Sequence, residues 1–100
     1  MPYKVYLTPT AFKELEKSMD WYDGCRDGLG ARFTDAVNSR LTKLSENADI
    51  YPVVSSGYRE VSIEKFPFLI VYKIIKKKNT IRVYHIFHTS RNPLLKNKPY

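Results

Sequence analysis

Residues 66–75 read "FPFLIVYKII" and residues 80–88 read "TIRVYHIFH". These two runs constrain the fold more than any other part of the chain. The first is almost continuously apolar and rich in β-branched and aromatic side chains. A strand with that pattern is covered on both faces and sits inside a sheet. The second is apolar at odd and even positions alike and is expected to be central too. The link between them, "KKKN", is short enough for a hairpin, although lysine is not a usual turn residue. Just upstream, "YREVSIE" (58–64) alternates, with Val61 and Ile63 on one face, and reads as a third strand.

The N-terminal half supplies the cover for such a sheet. "YKVYL" (3–7) alternates and suits a short strand. Thr8 can then cap a helix, with Pro9 well placed at its first position. Phe12, Leu15, Met19 and Tyr22 recur at helical spacing, and Gly24 is the expected stop. A second helix is predicted from near Gly28, with Leu29, Phe33, Ala36, Val37, Leu41 and Leu44 as its apolar stripe. Its other face, with Arg32, Asp35, Asn38 and Arg40, reads as solvated. The short Gly-containing link predicts an αα-hairpin. Residues 46–57, "ENADIYPVVSSG", show no period and read as a loop. The expected fold is α+β: a two-layer β-α-α-β-β-β domain over residues 1–93, with the helical hairpin packed on a mainly antiparallel sheet. A short basic tail is expected at 94–100.

One hundred residues suit a single core, and 43% apolar residues are enough to build it. Cys25 is the only cysteine, so no internal disulfide can form, which suits a reducing compartment. Neither a signal-peptide pattern nor a membrane-length apolar stretch is present, and a cytoplasmic protein is expected. The net charge of +7 is unevenly placed. Residues 1–50 hold seven Lys/Arg and eight Asp/Glu, giving −1, whereas residues 51–100 hold ten and two, giving +8. A basic half-domain attracts phosphates or an acidic partner, and a solvated lysine-rich face has the same composition.

The densest chemistry is "HIFHTSRNP" (85–93), at the end of the last strand. His85 and His88 are three apart, which sends them to opposite faces of a strand and argues against a shared metal. His85 shares a parity with Val83 and Phe87 and reads as a core histidine, while His88 lies at the strand end within reach of a ligand. The four glycines form no phosphate-cradling motif, and no cofactor is expected. Ser90 near His88 does not make a nucleophile elbow. What remains is Arg, His and Tyr on a basic sheet. Arg59, His88 and Arg91 can meet if their strands lie close, and Tyr72 and Tyr84 add phenols on neighbouring strands. Metal-free RNA cleavage needs a base, an acid and cations, which these residue types can supply. The same groups serve equally in structural networks, with Arg59 and Arg91 paired to Glu60, Glu64 or the C-terminus.

The pieces "VYLTPTAFKELEKSMDWY", "GLGARFTDAVNSRLTKLSENADIYP", "YREVSIEKFPFLIVYKI" and "IRVYHIFHTSRNP", in this order, resemble the RelE/ParE superfamily. These are the toxins of bacterial type II toxin–antitoxin modules, and members of the ParE branch are often called plasmid stabilization proteins. The shared features are the Arg at the start of one strand, the aromatic–Pro–aromatic start of the next with its later Tyr, and the closing His…Arg–Asn–Pro. The resemblance implies the same β-α-α-β-β-β fold and an antitoxin encoded nearby that lays an extended and helical segment across the toxin. It further implies one of two targets. RelE-like members cut messenger RNA in the ribosomal A site with clustered Lys/Arg, and often use a tyrosine near the C-terminus, a place that Tyr100 could fill. ParE-like members poison DNA gyrase and are not nucleases.

This sequence has Glu60, Ser62 and Leu69 where the RelE branch has basic residues. The favoured expectation is therefore a ParE-like toxin that inhibits growth through DNA gyrase, with Arg59, Tyr72, Tyr84 and Arg91 meeting target or antitoxin. The alternatives are a RelE-like endonuclease with His88, Arg59 and Arg91 as catalytic groups, and a degenerate module that only binds its antitoxin.

Overall fold

The computed structural model describes residues 2–91. Its elements run β1 (Lys4–Leu7), α1 (Pro9–Cys25), α2 (Leu29–Asn47), β2 (Val53–Ser55), β3 (Tyr58–Ser62), β4 (Phe68–Ile75) and β5 (Thr80–His88). The five strands form one sheet in the order β1-β5-β4-β3-β2. β1 runs parallel to β5, and the other neighbours are antiparallel. The helical hairpin covers one face, so the two-layer α+β expectation holds. The tail expected at 94–100 lies outside the described residues.

Local chemistry explains the helix boundaries. Thr8 has extended backbone angles, and its Oγ1 accepts the Ala11 N–H at 3.1 Å, with Pro9 following at the first helical position. The same hydroxyl donates to the Tyr84 carbonyl at 3.3 Å, so the cap also ties α1 to β5. At the hairpin, Gly28 adopts φ +84, a conformation that favours glycine. The Gly30 N–H then donates to Asp23 Oδ1 at 2.8 Å. A Cβ on Gly30 would lie 2.6 Å from the Met19 carbonyl oxygen, so the two helices approach this closely only because residue 30 has no side chain.

The core lies between this hairpin and β3–β5. Phe33, Val37 and Leu44 from α2 are fully buried, as are Ile70 and Tyr72 from β4 and Ile81, Val83 and Ile86 from β5. Four aromatic rings join the layers: Phe33 stands edge-on to Phe68 at 4.7 Å and to Phe66 at 5.4 Å, and Tyr22 stands edge-on to Phe66 at 5.0 Å. The expected stripe of α2 is thus the observed one.

In α1, Leu15, Met19 and Tyr22 pack on the core as expected, and only the first member of the stripe departs. Phe12, expected in the core, is 51% exposed, and Ala11 is fully buried in its place. Ala11, Ser18 and Tyr22 form the inward line. Two small side chains on that line let α1 lie close to β5, and Phe12 is turned outward by one residue step of about 100°.

The span 46–57 is likewise not a plain loop. Its first two residues complete α2, residues Ala48–Ile50 form a 3-10 turn, and Val53–Ser55 pair with β3 as an edge strand. Ser56 and Gly57, at φ +48 and +84, make the two-residue turn that joins them. The link between β4 and β5 is a 3-10 turn, Lys76–Lys78, closed by Asn79 at φ +50.

β5 carries one more departure from a regular strand. Tyr72 pairs with Val83, but Val71 pairs with His85, so Tyr84 is an extra residue in the ladder. The bulge reverses the parity of the strand. Ile81 and Val83 face the helices before it, and Ile86 faces them after it. This accounts for the apolar residues on both parities of "TIRVYHIFH".

Candidate functional site

Arg59, the second residue of β3, lies directly across from Tyr72. Its guanidinium Nη1 donates to the Asp49 carbonyl at 3.3 Å and to the Tyr51 carbonyl. These carbonyls belong to the turn that closes α2, where unpaired backbone oxygens attract a cation. Tyr72 serves the same turn from below. It is fully buried, and its hydroxyl donates to the Ala48 carbonyl at 2.8 Å. Burial pushes the Tyr72 phenol up to about 12. Tyr3 donates to Asp49 Oδ1 at 3.0 Å, and the Asp49 carboxylate raises the Tyr3 pKa. From α2 itself, Arg40 Nη1 donates to the Tyr51 hydroxyl at 2.9 Å. Arg59 and Tyr72 are therefore the centre of a network that fastens residues 48–51 to the sheet. Tyr72 is thus wholly buried, while Arg59, half-buried, engages its guanidinium with these backbone carbonyls.

His88 stands elsewhere. It pairs with Phe68, four residues along β4 from Tyr72, which is about 13 Å of strand. β4 also separates β3 from β5. Arg59 and His88 accordingly do not converge. The Ser90 N–H donates to His88 Nδ1 at 3.1 Å, which leaves the proton of the neutral ring on Nε2. The Ser90 hydroxyl lies 2.7 Å from the same nitrogen, and the ring is edge-on to Phe68 at 5.3 Å. Arg91 ends the 3-10 turn Thr89–Arg91, where the described backbone stops.

His85 is not a core residue. The bulge takes it off the parity of Val83 to the edge of β5 beyond the end of β1, where its side chain is 31% exposed. Glu14 of α1 meets it there. The Glu14 Oε1 lies 3.2 Å from His85 Nδ1 and also accepts the Ile86 N–H at 3.1 Å, a strand-edge donor that β1 is too short to pair. Among the described residues no three His, Cys, Asp or Glu side chains gather where a metal ion could sit.

Of the expected surface residues, Tyr84 does lie in a cluster. Its ring is edge-on to Tyr58 at 5.2 Å, and Lys73 Nζ sits 4.2 Å above the Tyr58 ring. Tyr58, Lys73 and Tyr84 come from three adjacent strands, on the face turned away from the helices. A cation held over an aromatic face, with a second ring beside it, suits an anionic or planar group. The sequence reading missed Tyr58 and Lys73. Alternation within "YREVSIE" places Tyr58 opposite in facing to Arg59, and Tyr84, next to the inward-facing Val83, lies on the same side.

Solved structures of similar fold come from toxin–antitoxin systems. They include the chromosomal ParDE system of P. aeruginosa (TM-score 0.75, 17% identity, 86% of this chain and 95% of that chain covered). The RelBE2 toxin–antitoxin complex of Mycobacterium tuberculosis gives 0.63 at 18% identity, with 88% and 99% covered. The isolated RelE toxin of E. coli gives 0.67 at 14% identity, with 95% and 93% covered. At these identities the likeness is one of fold. No curated protein matches the chain in sequence. The family model for the ParE toxin of the type II toxin–antitoxin system parDE matches residues 5–93. The chain belongs to this ParE toxin family, and with it to the type II toxins of the RelE/ParE superfamily.

Proposed function

We propose that this toxin arrests growth by acting on DNA gyrase and is held inactive by a cognate antitoxin in the cytoplasm. The observation that carries the target is the fate of the groups a nuclease would need. Arg59 is bound to two backbone carbonyls, Tyr72 is buried, and His88 lies about 13 Å along the sheet from both. General acid–base cleavage needs its acid, base and cations within reach of one phosphate. The match to the ParE family over residues 5–93 points the same way. An antitoxin partner is supported by the structural neighbours, two of which are described as a ParDE system and a RelBE2 toxin–antitoxin complex. The +8 charge of residues 51–100 favours an acidic one.

The test is the order of events after induced expression. DNA damage that precedes any fall in protein synthesis supports the gyrase reading. Early translational arrest with cut messages sinks it in favour of ribosome-dependent cleavage. Absence of arrest at confirmed expression leaves only the module that binds its antitoxin.

A further inference from the structure

Two apolar side chains are buried on the face of the sheet that the helices do not cover. Val71 alternates with the inward Ile70 and Tyr72, and Phe87 follows the inward Ile86, so both point away from the hairpin. Neither belongs to the core between helices and sheet, yet Val71 is fully buried and Phe87 only 4% exposed. Strand neighbours flank a side chain without covering it, and a sheet face is closed by a second layer. Among the described residues the helical hairpin supplies that layer to the other face.

Strand pairing sets this face in three rows. Nearest the end of β5 are Leu69 and Phe87, then Glu60, Val71 and His85. Third is the cluster of Tyr58, Lys73 and Tyr84. The sequence after Arg91, "NPLLKNKPY" (92–100), carries matching chemistry in the same order: two leucines, then Lys96 and Lys98, then Pro99 and Tyr100. The described backbone stops at Arg91, just past the β5 end where the apolar row lies. The first and third rows are four residues apart on β4, about 13 Å, which four extended residues also span.

We infer that residues 94–100 run back across this face as a strap. The leucine pair closes over Leu69, Val71 and Phe87, the lysines meet Glu60, and Tyr100 reaches Tyr58 and Tyr84. The strap gives the sheet its second cover, and an anionic or planar group reaches Lys73 and its two rings only by displacing it. A second copy of the chain fits less well, because it would bring together two basic halves of +8 each.

The experiment uses the full chain with Cys25→Ser, which removes an exposed thiol, and Asn97→Cys carrying a nitroxide. Paramagnetic broadening should weaken the backbone amide signals of Glu60, Val71 and His85 and spare those of Arg32 and Asp35 on α2. In the unlabelled chain, Leu94→Ser/Leu95→Ser should lower the melting temperature by roughly 8 °C or more, since two apolar side chains leave their cover. It should also raise binding of a hydrophobic dye as Val71 and Phe87 open. Lys77→Ser/Lys78→Ser, on the exposed β4–β5 turn, should change neither. An unchanged melting temperature and dye binding in the leucine variant overturn the inference, as does broadening centred on the helices or on no part of the fold. Broadening passed from a nitroxide-bearing chain to a separate isotope-labelled chain overturns it in favour of a second copy. Should the leucine variant fail to fold, the nitroxide measurement decides alone.

Discussion

The hydroxyl of Tyr72 donates to the carbonyl oxygen of Ala48 at 2.8 Å, and both residues are fully buried. This one bond links the middle strand of the sheet to the turn that ends α2, from inside the core. Arg59 fastens the same turn from the strand alongside. The turn is thus held by two side chains whose residue types also suit an active site.

Tyr72→Phe should destabilise the fold by about 1–3 kcal/mol, since it leaves a buried carbonyl without a donor. The pH dependence has a definite sign. The phenol titrates near 10 when exposed and is pushed up to about 12 in the fold. The native state therefore keeps a proton that the unfolded chain releases. The contribution is complete below pH 10 and is lost as pH rises toward 12, an amount of at most about 2.7 kcal/mol. Tyr3 and Tyr22, also raised, add in the same direction. Denaturant melts between pH 8 and 12 should show this fall, with a shallower slope in Tyr72→Phe. Equal slopes would refute the assignment.

Phe33→Ala and Phe12→Ala separate core from surface. The first should cost about 3–5 kcal/mol, because the ring is fully buried among other aromatics. The second should stay within about 0.5 kcal/mol, as a half-exposed side chain off the inward line. Chemical denaturation of both variants checks the helix phase directly.

Gly30→Ala should destabilise by about 1–3 kcal/mol, since the new methyl meets the Met19 carbonyl and helix backbone must shift. At Gly24, also in a helix, nothing lies within 4 Å of the added carbon. Gly24→Ala should leave stability unchanged or raise it by up to about 1 kcal/mol. Thermal melts of the pair isolate close helix approach from helix propensity.

Arg59→Ala should lower stability by about 1–3 kcal/mol through the turn carbonyls it abandons. Arg59→Lys should recover little, because one ammonium cannot reproduce the planar two-carbonyl geometry. Any loss of toxicity in these variants should follow their loss of fold, measured by soluble yield and melting temperature. A stable Arg59→Ala protein without toxicity would return Arg59 to the functional surface.

Periodicity made the architecture legible where each element had a strong pattern. Phe33, Val37 and Leu44 declared the inward face of α2, and the "FPFLIVYKII" run declared a central strand. Two departures have different causes. Apolar size misleads at the start of α1, where close packing of helix on sheet favours the small Ala11 and leaves Phe12 outward. β2 was missed because three residues are too few to show alternation, yet the Ser56–Gly57 pair carried the signal of a two-residue hairpin. The site was less legible. Arg59, Tyr72 and His88 have the right chemistry for catalysis, but nothing in their spacing tells whether their polar atoms face a ligand or a backbone carbonyl. His85 was misplaced because a single extra residue, Tyr84, reverses strand parity.

The pairing of β1 with β5 has a consequence for the birth of this protein. Residues 4–7 are made before their partners at 80–83, which lie 76 positions later in the chain. Synthesis at about 5–20 residues per second leaves the first strand waiting for seconds without its neighbour. A ribosome that stalls or aborts early releases a chain with an unfilled sheet edge and no closed core. The sheet therefore closes only after β5 has been made, and a product cut short before residue 80 lacks the folded core.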